Sequence, residues 1–546
     1  MANLLTPLEM MQHWAERFPD QVYLRQSTGS DWLEYTWKGV ADRVSRIAAY
    51  LADQAFPPGS SVAIWSTNSA DWFVADLAIM LSGHVTVPIN PAQDIETAAY
   101  IMDHSDSKLV FAGGLHYADR FFEALPDGVF SVGMSGSVVQ TDETLDELIS
   151  RYEAGRTFAP RGADEIATII YSSGTSGAPK GVVHNFRSIS NAGSMIAKAY
   201  GRLHFSAAGD ERERIISYLP LAHAAERALV EMASFYNNPL ISISSGLDNF
   251  ASEVREVRPT FFGAVPRIWY KFKEGIEAYL SEKGKAIESE KDKAAIRAML
   301  GLDDSRFNMT GSAPVSPQVH GWYSSIGVPL SESYSLNETF SHGTFWDRDE
   351  PCLPGCVGRG ADGIEVKLDD AGQILFKTPT LMRGYFKNPE LTDEVIRDGW
   401  FATGDLGRFD DQGNLWVTGR VGSVFKSGKG KFIRPEKLEH SLNKDAWVEQ
   451  AMVFGSGFAQ PVAVIALAQS NHEEPDEIVK QHFSNVIDAM NAGLPAYEKI
   501  AAALVVRDVW GPESGELTPT LKIRRGFLAE KYAQHLNDES VGVLVG

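Results

Sequence analysis

Ile169-Ile170-Tyr171-Ser172-Ser173-Gly174-Thr175-Ser176-Gly177-Ala178-Pro179-Lys180-Gly181 passes from an apolar run into small hydroxylated residues, glycines and one lysine. The apolar part predicts the end of a buried strand. The glycines and the proline exclude a helix or a central strand for the rest, which must be a loop. Such a loop bares backbone N–H groups. Ser172, Ser173, Thr175 and Ser176 add hydroxyls, and Lys180 adds a cation. Together these suit a polyphosphate. A Walker A loop would place Ser or Thr directly after its lysine, whereas Gly181 follows Lys180 here. A strand–loop turn without a ligand is the plain alternative.

Other segments carry chemistry-bearing residues, each with a bland reading beside it. Tyr334 and Glu338, in Ser331-Glu332-Ser333-Tyr334-Ser335-Leu336-Asn337-Glu338-Thr339, offer a flat aromatic face and a hard oxygen ligand. Alone, Glu338 reads as a solvated acid. Met309-Thr310-Gly311-Ser312-Ala313-Pro314 reads alone as a turn. Asp405, in Gly399-Trp400-Phe401-Ala402-Thr403-Gly404-Asp405-Leu406, has a carboxylate able to accept two hydrogen bonds from a vicinal diol. With Arg420 it also fits two β-turns joined by a surface ion pair. The run from Arg420 to Lys437 is basic in an acidic chain and includes Lys429 and Lys431. It suits phosphates or a solvated loop equally. Lys522, in Leu517-Thr518-Pro519-Thr520-Leu521-Lys522, and His223, in Leu219-Pro220-Leu221-Ala222-His223, read in isolation as a surface lysine and a structural histidine.

Taken together and in this order, these motifs resemble the adenylate-forming (AMP-binding) superfamily over nearly the whole chain. Phe425-Lys426 and Val265-Pro266-Arg267-Ile268-Trp269 resemble its long-chain fatty acyl-CoA synthetases. The resemblance implies ATP-dependent activation of a carboxylic acid, expected to be a medium- or long-chain fatty acid. The product is an acyl-adenylate and then acyl-CoA, with release of pyrophosphate and AMP. It assigns Ser172, Ser173, Gly174, Thr175, Ser176, Gly177 and Lys180 to the phosphates, and Gly311, Ser312, Ala313 and Tyr334 to adenine. Asn337 falls to phosphate, Asp405 to the ribose hydroxyls, and Arg420 to ribose or phosphate. Glu338 and Thr175 become Mg²⁺ ligands, His223 an acyl gate, Gly422 a hinge, Lys429 and Lys431 a CoA contact, and Lys522 the catalytic lysine. ATP, Mg²⁺ and coenzyme A are the implied cofactors and substrates. The chain departs from the family pattern at Ser335, Asn337 and Gly422. Other outcomes of the same fold stay open: acyl transfer to a carrier protein, an aryl-CoA ligase, a β-lactone synthetase, or a catalytically weak acyl or nucleotide binder. Chain length, aromatic against aliphatic acid, and oligomeric state (a homodimer included) stay open as well.

The elements that must position these residues follow from size and periodicity. The chain has 546 residues, too many for one compact core, and 44% apolar with 22% charged residues suits a globular protein. A net charge of −21 argues against a nucleic-acid binder. Two cysteines, Cys352 and Cys356, are too few for a structural zinc site, and their role is left open. The first residues lack the pattern of a signal peptide, and no apolar run reaches the ~20 residues of a membrane span. The expectation is a cytoplasmic protein, with peripheral membrane association open.

Helical spacing predicts helices over Leu8–Phe18, Trp37–Leu51, Ala70–Leu81 and Ile95–His104, and strands over Ser61–Trp65, Val85–Ile89 and Lys108–Ala112. That alternation predicts βαβ units and a mostly parallel sheet, resumed near Ile166. Glu274–Leu300 reads as an exposed, ion-paired helical insertion, and Val357–Arg420 as short strands with turns. Beyond it come a helix at Pro435–Leu442, strands at Val448–Phe454, Val462–Ala468 and Ala501–Arg507, and helices at Pro475–Met490 and Arg525–His535. The expected architecture is α/β. A large N-terminal region of layered sheets (1–420) with a small β-barrel-like subdomain precedes a small mobile α+β C-terminal domain (421–546).

Overall fold

A computed structural model of the chain describes residues 4–137, 139–172, 178–202, 212–312, 315–346, 353–511, 514–518, 522–536 and 541–546. Ser173, Gly174, Thr175, Ser176, Gly177, Ala313 and Cys352 lie outside the described residues. The chain divides into two compact units. The larger contains residues 1–172, 179–366 and 376–401, and the smaller contains 367–375 and 402–546.

The larger unit is built on an eight-stranded sheet. In spatial order its strands are Gly384–Tyr385, Lys180–Asn185, Ile166–Ser172, Val85–Ile89, Ser61–Ser66, Leu109–Gly113, Phe130–Gly133 and Glu143–Thr144. The six from Ile166–Ser172 onward run parallel. Lys180–Asn185 turns back antiparallel on Ile166–Ser172, and Gly384–Tyr385 closes that edge antiparallel. Both faces are covered. Val62, Ile64, Leu109 and Phe111 enter one core, and Ala63, Trp65, Val110 and Ala112 enter the other. Burial on both faces makes these strands read as continuous apolar runs.

The helix Ala70–Leu81 is capped by Ser69 and almost wholly buried; Ile95–His104 is capped by Asp94. A second sheet places Arg214–Ser217, Leu240–Ile243, Val22–Ser27 and Trp32–Thr36 side by side, and a third aligns Phe261–Ala264, Phe307–Thr310 and Leu330–Glu332 in parallel.

The expected exposed insertion is two helices, Pro266–Glu282 and Glu290–Leu300. Their outer faces carry the ion pairs Lys273–Glu277 and Lys293–Glu290. Their inner faces bury Trp269, Ile276, Ile296 and Leu300 beside Tyr323. The charged residues dominated the sequence pattern, but one apolar residue per turn is enough to dock a helix.

The smaller unit has a sheet in the order Val448–Phe454, Val462–Leu467, Ala502–Val506, Gly542–Val545, with the first pair antiparallel and the rest parallel. Period-two alternation sends Val453 and Ile465 to a core with Leu438 and Phe483, and Met452 and Val464 to a core with Leu528. Pro435 opens the helix Pro435–Leu442, where its fixed φ costs nothing. Among the described residues no helix is long and apolar enough to cross a membrane.

Candidate active site

In the larger unit the candidate groups gather around the strand Lys180–Asn185. Ser172 and Lys180 are register partners at the base of the hairpin. They flank the residues expected to hold phosphate. Lys180 is exposed, and its Nζ stands 5.8 Å from the centre of the Tyr385 ring, within cation–π range. Tyr385 pairs with Val182 across the sheet edge, and its hydroxyl donates to Glu338 Oε1 at 2.8 Å. Burial and the Glu338 charge both push the Tyr385 phenol upward, so it stays a proton donor.

Glu338 lies in the short turn Asn337–Thr339. Two backbone bonds hold that turn: Met382 N donates to Glu338 O at 2.7 Å, and His184 Nε2 donates to Asn337 O at 2.8 Å. A carbonyl only accepts, so the proton of His184 sits on Nε2. Burial pushes the His184 pKa down to about 4, which keeps the ring neutral.

Tyr334 follows the strand Leu330–Glu332. Its ring is 5.7 Å from that of Phe376, and its backbone is tied to Thr344 by Thr344 N to Tyr334 O at 2.8 Å. A Cβ on Gly343 would lie 2.1 Å from Tyr334 O, so only glycine permits this approach. Gly311 and Ser312 follow the strand Phe307–Thr310. Ser333 N donates to Thr310 O at 2.9 Å, bringing that segment beside the Tyr334 segment, and Ser312 sits at φ 72°.

His223 caps a helical turn, its Nδ1 accepting from Ala225 N at 3.2 Å. Glu226, three residues on, is buried and accepts from Ser217 Oγ and Tyr218 N; burial pushes its carboxyl up to about 8.

In the smaller unit Asp405 and Arg420 are opposite each other on a strand pair, with Arg420 Nε 2.8 Å from Asp405 Oδ1. Asp405 is buried and Arg420 half-exposed. The structure therefore replaces the reading of two turns and a surface pair with a strand ladder holding a buried carboxylate. Gly422 has an ordinary φ and open space where a Cβ would stand. Lys429 and Lys431 are exposed at the tip of a hairpin between Phe425–Lys426 and Phe432–Ile433, closed by Ser427 N to Lys431 O at 2.8 Å. Gly430 at φ 74° makes that tip.

Lys522 is exposed on a segment folded back on Thr518, with Thr518 N to Lys522 O at 2.8 Å and Lys522 N to Thr518 Oγ1 at 3.0 Å. Arg525, at the start of the helix Arg525–Tyr532, makes a two-pronged ion pair with Glu439.

Sequence reasoning passed over Tyr385, His184, Arg227 and Arg525. Arg227 is wholly buried with Asp76 and Glu231 and donates to Thr168 Oγ1. Its signal was a set of charges inside apolar helices: Asp76 in Ala70–Leu81, and Arg227 with Glu231 in Ala224–Met232. Among the described residues no three His, Cys, Asp or Glu side chains form a metal cluster. A lone half-buried carboxylate such as Glu338 fits Mg²⁺ carried by substrate phosphates, which needs only one or two protein carboxylates. Tyr385 occupies one lone-pair site of Glu338 among about four.

The AMP-binding enzyme family matches residues 11–386, and an AMP-binding enzyme C-terminal domain matches residues 424–539. A long-chain-fatty-acid–CoA ligase from Mycobacterium bovis is 27% identical over 95% of this chain and 94% of its own. The peroxisomal long chain acyl-CoA synthetase 6 of Arabidopsis thaliana is 28% identical over 98% of this chain and 86% of its own. Among solved structures, the adenylation domain of a carboxylate reductase from Mycobacterium chelonae superposes with a TM-score of 0.79 at 22% identity, over 97% of this chain and 90% of that one. The O-succinylbenzoate coenzyme A synthetase of Bacillus subtilis, in complex with AMP, superposes with a TM-score of 0.74 at 20% identity, over 95% and 97%. The family match spans well over half of the sequence and contains the Lys180, Tyr385 and Glu338 arrangement, and the chain belongs to the AMP-binding enzyme family of adenylate-forming enzymes.

Proposed function

We propose that this enzyme activates a fatty acid of medium or long chain as its acyl-adenylate and passes the acyl group to coenzyme A. The observation that carries the reading is the linked set Lys180, Tyr385 and Glu338, in which a tyrosine on the sheet edge touches a cation on the neighbouring strand and a carboxylate on the turn Asn337–Thr339. The named fatty-acyl relatives support the choice of acid.

In the first half-reaction the substrate carboxylate oxygen attacks the α-phosphorus of ATP, and the bond to the bridging oxygen breaks to release pyrophosphate. In the second, the CoA sulfur attacks the acyl carbon, AMP leaves, and the thiol proton goes to solvent. No enzyme nucleophile is needed, so the protein's work is positioning and charge stabilisation.

Ser172, Thr175 and Lys180 hold the β- and γ-phosphates, and Asn337 donates to phosphate through its amide. Tyr334 stacks on adenine beside Gly311 and Ser312, and Asp405 with Arg420 fixes the ribose. Glu338, with Thr175, would hold Mg²⁺. When bound, Mg²⁺ neutralises phosphate charge. Lys522 bridges the acid carboxylate and the α-phosphate during adenylation. His223 borders the acyl chain, and Lys429 and Lys431 meet the CoA phosphates. Residues 1–420 bind nucleotide and acid, residues 421–546 deliver Lys522, and Gly422 is the pivot. A cytoplasmic location belongs to the same proposal.

The test is ATP–pyrophosphate exchange with a panel of carboxylic acids, followed by product mass with CoA. Exchange greatest with medium or long aliphatic acids, and an acyl-CoA product, are expected. A folded protein silent with short, medium, long and aromatic acids would overturn the reading. Exchange without acyl-CoA would reassign the acceptor.

A further inference from the structure

Tyr385 has no role in the reading above beyond its place at the sheet edge, yet it touches both charged groups of the larger unit's candidate site. Its ring faces the Lys180 ammonium at 5.8 Å and its hydroxyl donates to Glu338 Oε1 at 2.8 Å. We propose that Tyr385 is a positioning residue that sets the Glu338 carboxylate and the Lys180 ammonium for a metal–triphosphate ligand. The inference rests on the assignment of Glu338 as the metal-binding carboxylate.

The backbone around Tyr385 is fixed from three sides. Its own N–H donates to Thr392 Oγ1 at 2.9 Å, and Phe386 N donates to Gly181 O at 2.7 Å. Gly384 before it sits at φ 153°, where a Cβ would lie 2.8 Å from the Thr392 methyl, so the entry to the strand tolerates only glycine. The phenol therefore cannot wander. The turn bearing Glu338 is fixed equally well, through Met382 N and His184 Nε2.

Two rigid backbones leave the carboxylate torsions of Glu338 as the loose coordinate, and the Tyr385 hydroxyl removes that freedom. A hydroxyl donating to one oxygen turns the remaining lone pairs of the carboxylate in one direction. Metal ligands depend on such outer partners for orientation, and losing one typically costs ten- to a hundredfold in affinity. The ring does the corresponding work for Lys180: an ammonium over an aromatic face is attracted without being neutralised. The contact holds the Lys180 ammonium over the same ring whose hydroxyl bonds Glu338.

Phenylalanine at 385 keeps the ring, the ladder and the cation–π contact and deletes only the donor. The experiment titrates Mn²⁺ by electron paramagnetic resonance into the full chain with ATP and no acid, and separately measures Mg²⁺ half-saturation and the acid KM in pyrophosphate exchange. Tyr385→Phe is expected to weaken Mn²⁺ binding about tenfold and raise Mg²⁺ half-saturation by a similar factor. The acid KM and the melting temperature should stay put, and excess Mg²⁺ should restore the rate.

Glu338→Gln separates the two claims. If Glu338→Gln leaves Mn²⁺ binding unchanged, the metal assignment itself fails. If it weakens binding and Tyr385→Phe does not, the positioning role fails. The double variant should be no weaker than Glu338→Gln alone; additive losses would mean that Tyr385 acts on the ligand by some other route and would overturn the inference.

Discussion

In the larger unit Arg227 meets two carboxylates and is wholly buried; in the smaller unit Arg525 also meets two, Glu439 squarely and Glu436 at 3.6 Å, but keeps 30% of its side chain in solvent. Arg227 lies in the π-helical turn Arg227–Met232, with Asp76 on Nη2, Glu231 on Nε and Thr168 on Nη1. Thr168 in turn donates to Thr86 O, so the guanidinium is bonded into the strand that ends at Ser172. Arg525 instead clamps the helix Arg525–Tyr532 to Pro435–Leu442 through Glu439, three residues beyond Lys522. Arg227 thus anchors the strand that pairs with the one bearing Lys180, and Arg525 anchors the helix that begins three residues after Lys522.

The difference is one of desolvation. Two carboxylates around a single dry guanidinium leave an excess negative charge. Burial and the Asp76 charge push the Glu231 carboxyl upward, so the cluster holds a proton instead. Arg525 can trade its partners for water. The strand beside the larger unit's lysine is therefore held by a network that cannot open without unfolding, and the helix after the smaller unit's lysine by a clamp that can.

Arg227→Met breaks this contrast most severely. Leaving Asp76 buried without its counter-ion beside the protonated Glu231 is expected to cost about 3–5 kcal/mol, read as a lower first transition in denaturant or heat. A loss under 1 kcal/mol would mean that the cluster is already neutral without its arginine. Lys522→Ala tests function on the other side. Removing a group that stabilises charge only in the transition state is expected to lower pyrophosphate exchange ~10²–10³-fold. Thioesterification from supplied acyl-adenylate should change far less. Equal losses in both half-reactions would end the assigned role. Arg525→Met should cost about 1–3 kcal/mol, because the Arg525 side chain is already 30% in solvent and Val453 N still donates to the buried Glu439. Should Arg525→Met cost as much as Arg227→Met, the distinction between network and clamp would be lost.

Elements with local punctuation could be read from the sequence. Ala70–Leu81, Val85–Ile89, Ile95–His104 and Pro435–Leu442 are found at the bounds expected for them, because Ser69, Asp94 and Pro435 mark the starts of the three helices and the strand is a short apolar run. Val22–Ser27 and Trp32–Thr36 went unread: their burial follows no clean period of two, since one strand is central in its sheet and the other lies at its edge. The C-terminal strand Gly542–Val545 is four residues long and depends on pairing with Ala502–Val506. At the candidate site, residues in motif blocks could be named in advance. Their holders could not: Tyr385 meets Glu338 across 47 positions, and His184 meets Asn337 across 153. Nothing local in the chain encodes those meetings; the sheet edge makes them.

The smallest effect per measured step is a pH slope at Glu226, a buried carboxyl that directly precedes Arg227, and it needs a chosen pH window. Its pKa rises from 4.5 to about 8 through burial. Below about 4.5 both folded and unfolded chains hold the proton. Between about 4.5 and 8 the unfolded chain releases it and the folded chain does not, so stability falls as pH rises through that window. The slope is at most ~1.4 kcal/mol per pH unit for one proton.

His184 and His342 have the opposite sign. Their pKa values drop from 6.5 to about 4, so stability is lost as pH falls from 6.5 toward 4. The two effects oppose each other below pH 6.5, and the Glu226 slope stands clear of them between about 6.5 and 8. Glu226→Gln keeps an oxygen to accept from Ser217 Oγ and Tyr218 N and removes the titration. Its stability curve should be flatter than that of the parent chain from pH 6.5 to 8 and parallel to it below 4.5. An unchanged slope in the upper window would show that Glu226 is ionised in the folded protein and that water or a cation reaches this part of the core, which would also weaken the picture of a sealed Arg227 network.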